Sequence, residues 1–201
     1  DPLVELFDVL VVGLRDYLKK TGQRKVVLGL SGGIDSALCA AIAKEAIGAE
    51  NVTGVLLPSR YSSDHSLSDA KQLAENLGIE HRTVPIDPVH KALEASVKLS
   101  DLAQENIQAR IRAVILMGIS NSEGHLLIST GNKSEVAVGY STMYGDAAGG
   151  FAPIKDVYKT DVWKLAVNLA PDDIFLNHAV LDPELPTPEL PDHTASAIAQ
   201  R

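Results

Sequence analysis

The sequence predicts an α/β fold: a parallel sheet covered by helices on both faces. Three observations lead there. Short apolar runs alternate with helical patterns from residue 25 to residue 170, the mark of strand–helix–strand crossovers. The first run, KVVLGL (25–30), ends in Ser-Gly-Gly and a helical pattern follows; parallel sheets bind ligands at such turns, at the carboxyl ends of their strands. Of 201 residues, 45% are apolar and 22% are charged, an ordinary globular balance with enough chain for one full core.

Each element has its own warrant. Residues 3–18 place Leu3, Phe7, Leu10, Leu14 and Tyr17 at helical spacing, and Gly22 stops the helix. KVVLGL is short and β-branched, as a buried strand is. A helix over 36–47 has Leu38 and Ile42 on one face. VTGVLLP (52–58) is a second strand, 66–78 a helix closed by Gly78, and HRTVPI (81–86) a third strand. The spacing over 102–118 predicts a long helix with Ile107, Ile111, Val114 and Ile115 inward. HLLIST (125–130) is a fourth strand, followed by helices at 133–139 and 158–170. In the last of these Val162, Leu165, Ala166 and Leu169 form one stripe. The predicted division is an α/β domain over 1–170 and a Pro-rich acidic tail over 171–201, which carries Pro171, Pro183, Pro186, Pro188 and Pro191.

The net charge is −8. Much of it sits in the tail, where Asp172, Asp173, Asp182, Glu184, Glu189 and Asp192 face only Arg201. An acidic chain repels phosphate backbones at long range, so a nucleic-acid partner is not expected. No apolar stretch reaches the roughly 18 residues of a membrane span, and the opening DPLVELFDVL lacks a basic leader. Cys39 is the only cysteine, which rules out an internal disulfide and fits a reducing, cytoplasmic setting.

The strand–turn–helix at Ser31-Gly32-Gly33-Ile34-Asp35-Ser36 reads as a phosphate cradle. Its glycines let the backbone come close to a ligand. The following helix points free N–H groups and a positive dipole end at the same spot. Ser31 and Ser36 add hydroxyls. Asp35 would repel phosphate unless a divalent cation lay between them, so Mg²⁺ is expected. The run is neither a Walker A loop nor GxGxxG. A second strand–turn–helix, Thr130-Gly131-Asn132-Lys133-Ser134-Glu135, opens a long polar, glycine-rich stretch at the same sheet edge. Asn132 and Glu135 also have the spacing of a capping box, which is the alternative reading of Glu135.

SGGIDS resembles the pyrophosphate loop of the ATP pyrophosphatases. Together with LPSRYSS, ENIQARIR, TGNKSEVAVGYSTMYGDAAGGF and IKDVYKTDVWKLA, it resembles the NAD synthetase family, closest to the synthetase domain of the glutamine-dependent members. The resemblance implies a doubly wound, adenine nucleotide alpha hydrolase-like fold, usually a homodimer. It implies that deamido-NAD is adenylated by ATP with release of pyrophosphate. Ammonia then displaces AMP to give NAD, and a glutaminase domain or subunit is a possible partner. By resemblance Leu30, Ser31, Gly32, Gly33, Ile34, Asp35, Ser36, Leu57, Ser59, Thr130 and Lys159 bind ATP. Asp35 and Glu135 hold Mg²⁺. Asn106, Arg110, Glu135, Tyr144 and Asp146 contact deamido-NAD. Asp35, Lys133 and Lys159 serve catalysis, with Lys133 steadying charge on the α-phosphate. Arg112 is a further candidate. Asn106 and Arg110, four residues apart, project from one helix face, and that face is either a ligand surface or a solvated one. Asp146 either meets substrate or holds its turn. Past Ala170 the resemblance stops, and residues 171–201 contain no lysine. The alternatives are another ATP pyrophosphatase enzyme, such as a GMP synthetase-like adenylating ligase, and a non-catalytic ATP-binding homologue.

Overall fold

The structure, a computed structural model, describes residues 1–169. The predicted tail, and Leu169 as part of an apolar stripe, fall outside what it describes. Its elements are α1 (Pro2–Thr21), β1 (Val26–Gly29), α2 (Ile34–Ile47), β2 (Val52–Leu56), α3 (Asp64–Leu77), β3 (Glu80–Thr83), α4 (Asp87–Ser96), α5 (Asp101–Glu123), β4 (Leu126–Leu127), α6 (Lys133–Val138) and α7 (Lys159–Leu169). The strands form one parallel sheet in the order β3-β2-β1-β4. The chain therefore winds outward from β1 to β3, then returns to add β4 on the other side of β1. The strand order reverses there, which is where such sheets bind ligands.

Strand periodicity feeds two cores. From β1, Val26 and Leu28 enter one cluster with Leu14 and Leu18 of α1, Leu38 and Ile42 of α2 and Leu165 of α7. Val27, between them, enters a second cluster with Val55, Ile86, Ile111 and Leu127. Alternating side chains point to opposite faces, so helices on both faces follow from an unbroken apolar strand. Helix α2 lies within the first layer. Its residues 37–43 are buried without interruption, which is why it is apolar on more than the expected Leu38–Ile42 face.

Local signals set the helix ends. Gly22, Gly78 and Gly124 close α1, α3 and α5 in the left-handed conformation, with φ of 73°, 69° and 70°. Helix α4 had not been expected: Asp87 and Pro88 start it directly after the third strand. Helix α5 runs five residues beyond its predicted end and stops only at Gly124. Val114, expected inward, is 70% exposed, whereas Ile111 is buried and Ile107 and Ile115 pack against the second core. No helix among the described residues is long and apolar enough to cross a membrane.

Candidate functional site

The glycine loop leaves β1 with Leu30 still paired to β2, its N–H donating to Val55 O at 2.9 Å. It then turns sharply at Gly32, whose φ is +82°. A Cβ there would lie 2.5 Å from the Ser66 carbonyl oxygen, so the position excludes a side chain on two grounds. Gly33 is the N-cap of α2 and supplies no side-chain cap. The first-turn N–H groups of α2 thus face the loop with no side chain covering them, as an anion site requires. Ser36, expected to offer its hydroxyl to phosphate, is buried and braces the loop. Its Oγ donates to Gly33 O at 2.9 Å, accepts from Ser31 N at 3.3 Å, and lies 3.1 Å from Ser31 Oγ. Ser31 Oγ accepts from Gly33 N at 3.1 Å.

Asp35, in the first turn of α2, is gripped from both sides. Asn132 Nδ2 donates to its Oδ1 at 3.0 Å. Lys159, the first residue of α7, forms an ion pair with its Oδ2. Lys159 is itself placed by its backbone N–H, which donates to Ser134 Oγ at 3.0 Å. Asn132 starts α6 with a complete capping box: its Oδ1 accepts from Glu135 N and Glu135 Oε2 accepts from Asn132 N, both at 3.0 Å. Burial pushes the Glu135 carboxyl up. The bond from Asn132 N–H opposes that shift, the nearby Asp35 charge reinforces it, and Lys159 opposes it. Glu135 thus closes a capping box, and its charge and that of Asp35 act on one another. Asn132 is the residue missed as a site residue, because its spacing signalled only a cap.

Beside this cluster a cavity of about 360 Å³ opens among the carboxyl ends of β1, β2 and β4 and the face of α5. That size suits a small organic ligand. Leu30, Ser31, Leu57, Thr130, Asp146 and Arg112 line it. Gly54 leaves room for Leu30, whose Cδ1 would lie 2.4 Å from a Cβ there. Arg112 donates from Nε to Leu57 O at 3.0 Å, and burial lowers its pKa. Ser59, expected to bind ATP, is not among the residues that line the cavity. Its N–H donates to Ser62 Oγ at 2.9 Å and its Oγ accepts from Tyr61 N at 3.3 Å, and Ser62 lines the cavity in its place.

A glycine loop, an acid–lysine pair and a cavity thus meet at one strand-order reversal. The family described as NAD synthase matches residues 6–190. The chain belongs to the NAD synthase family. The match runs past Ala170, where the resemblance had been expected to stop. The glutamine-dependent NAD(+) synthetase of Thermotoga maritima is 56% identical over 167 residues, which is 80% of this chain and 29% of that protein. The glutamine-dependent NAD+ synthetase of Acinetobacter baumannii, solved with ADP, superposes with a TM-score of 0.87 at 40% identity, over 100% of this chain and 41% of that one. The NH3-dependent NAD synthetase of Campylobacter jejuni gives 0.82 at 34%, over 90% of this chain and 76% of that one. The chain spans less than a third of the length of the curated relatives it matches.

In this chain Asn106, Arg110 and Asp146 hold the glycine-rich segment after α6. Asn106 does not present an open face: it is buried, and its Oδ1 accepts from Thr142 Oγ1 at 3.0 Å. Arg110 Nε donates to Met143 O at 3.1 Å. The pair at i, i+4 thus clamps one loop. Gly145 sits against α5 so closely that a Cβ would be 2.9 Å from Ala109 Cβ. Asp146 holds its turn and also borders the cavity. Its Oδ1 accepts from Thr142 N at 2.6 Å, holding the turn, while the residue lines the cavity. Tyr144 is 78% exposed at φ 61°, a conformation that bulky residues rarely adopt. Lys133, expected at the α-phosphate, holds its ammonium 4.9 Å from the Tyr158 ring centre.

Proposed function

We propose that the chain carries out the ATP-dependent amidation of deamido-NAD to NAD, through an adenylate and with ammonia as nitrogen donor. The observation that carries the reading is the Asp35–Lys159 pair, which Asn132 holds at the glycine loop, next to the cavity. The cavity, largely apolar with a few polar groups, takes the adenosine. Loop N–H groups and the start of α2 take the phosphates.

Among the described residues no group of three or more acidic, His or Cys side chains could hold a metal alone. Asp35 and Glu135 still fit Mg²⁺, which typically takes one or two carboxylates and completes its shell with phosphate oxygens and water. When bound, the ion neutralises phosphate charge. The chain's own residues do the rest. Lys159 reaches the phosphates from its place on Asp35, and Arg112 offers a second cation at the cavity wall. The substrate carboxylate is the nucleophile: it bonds to the α-phosphorus as pyrophosphate leaves. Ammonia then bonds to the acyl carbon and AMP leaves. No protein nucleophile is needed, so rate comes from positioning and charge complementarity. Arg110, Tyr144 and Asp146 are proposed to meet deamido-NAD along the clamped loop. Asn106 and Thr142 support that loop. In the whole protein, as its relatives' names suggest, a glutaminase unit supplies the ammonia, and a homodimer is the proposed assembly.

The test is AMP release from ATP, deamido-NAD, Mg²⁺ and ammonium. We expect AMP and NAD in equal amounts. Asp35→Asn should lower the rate by about 10²–10³ at unchanged fold. Absence of AMP from the unsubstituted chain, or near-normal turnover in Asp35→Asn, overturns the reading.

A further inference from the structure

We propose that Asn132 is a positioning residue for Asp35, and that the two ends of its amide do separate work. The inference rests on the reading of Asp35 as an acid of the ATP site. Asn132 is 1% exposed, so its polar atoms must find partners within the protein. The oxygen end accepts from Glu135 N and caps α6; the nitrogen end donates to Asp35 Oδ1, a residue 97 positions away on α2. The amide can point only this way. A flip would set a donor against the Glu135 N–H and an acceptor against a carboxylate oxygen. The Asn132 N–H adds a third bond, to Glu135 Oε2.

One residue thus fixes one oxygen of each of the two carboxylates. With Oδ1 of Asp35 held by Asn132, Oδ2 is the atom that Lys159 meets. The free rotation of an aspartate carboxylate is removed before any ligand arrives. A carboxylate already set in position loses little on binding, whereas a loose one must first be ordered. Capping alone does not require asparagine here. Serine and aspartate cap helices about as well, but serine is too short to span to Asp35 and aspartate presents a like charge to it.

That difference supplies the experiment. Asn132→Ser and Asn132→Asp are compared with the full unsubstituted chain by thermal melting, by calorimetric titration with Mg·ATP without deamido-NAD, and by AMP release. Melting midpoints should stay close to that of the parent in both. Mg·ATP affinity and AMP release should fall about 10- to 100-fold in Asn132→Ser and further in Asn132→Asp. Parent-like affinity in both variants overturns the proposal and leaves Asn132 a cap. Equal losses in both that follow a lowered midpoint overturn it as well. If the parent binds Mg·ATP but releases no AMP, the proposed reaction fails while the order of affinities still decides the role of Asn132. Should Asn132→Asp fail to fold, Asn132→Ser carries the comparison alone.

Discussion

Gly32 and Gly33 sit side by side in the loop between β1 and α2, but physics asks different things of them. Gly32 has φ +82° and a backbone oxygen 2.5 Å from where a Cβ would go. Gly33 has an ordinary φ of −89°, and its Cβ would meet only Ser31 Oγ at 3.2 Å. A hydroxyl can rotate away; the Ser66 carbonyl, at the start of a helix, cannot. Gly32→Ala should therefore destabilise the fold by at least about 1–2 kcal/mol from the left-handed backbone alone, with the overlap added to that. Gly33→Ala should lower the melting midpoint much less. Equal midpoints for the two variants would show that the turn can relax, and that Gly32 is not held by the approach of α3.

At the scale of elements, α5 has two buried faces. Ile107, Ile111 and Ile115 pack on the sheet. Asn106, Arg110 and Ala113, at i, i+4 and i+7, face the glycine-rich segment and cavity instead. The polar face hinges on the buried bond from Thr142 Oγ1 to Asn106 Oδ1. Thr142→Val keeps the shape and leaves that oxygen without its partner, which typically costs about 1–3 kcal/mol. Chemical denaturation should show that loss, and Mg·ATP binding should weaken less than binding of deamido-NAD. An unchanged denaturation midpoint would mean that the clamp contributes nothing to stability.

This second face explains what could and could not be read from the sequence. Apolar periodicity identified α5 and its isoleucines, but placed Val114 inward, since nothing in a hydropathy pattern signals a polar buried face. The strand–helix alternation, the glycine stops and the SGGIDS and GNKSE turns were legible because each is written within a few consecutive residues. Helix α4 was not: Val89 and Leu93 give it one apolar pair, and Val89 is 42% exposed. The Asn132–Asp35 contact was hidden for the opposite reason. Local spacing already gave Asn132 a complete role as a cap, and the second bond joins residues 97 apart.

Over the whole molecule, the site is assembled from helices that distant parts of the chain supply. Asp35, Glu135 and Lys159 come from α2, α6 and α7, and Lys159 meets Asp35 across 124 positions of sequence. The layers that assemble this site also enclose the chain's one cysteine. Cys39 is the only cysteine among the 201 residues. It lies on α2 behind the loop with no exposed surface, packed in the larger core. Burial raises its thiol pKa well above the ordinary value, and the charges of Asp35 and Glu135 raise it further. A thiol attacks as its thiolate, so this one is both unreachable and protonated at neutral pH. Glutamine hydrolysis through a cysteine therefore has no site in this chain. Supplied with ATP, Mg²⁺ and deamido-NAD, the chain by itself should form NAD with ammonium and none with glutamine, and no glutamate should appear. Glutamate release at a rate matching NAD formation would overturn the ammonia-only reading. It would require a nucleophile other than Cys39, because the core that holds α2 in place also seals that thiol from any substrate.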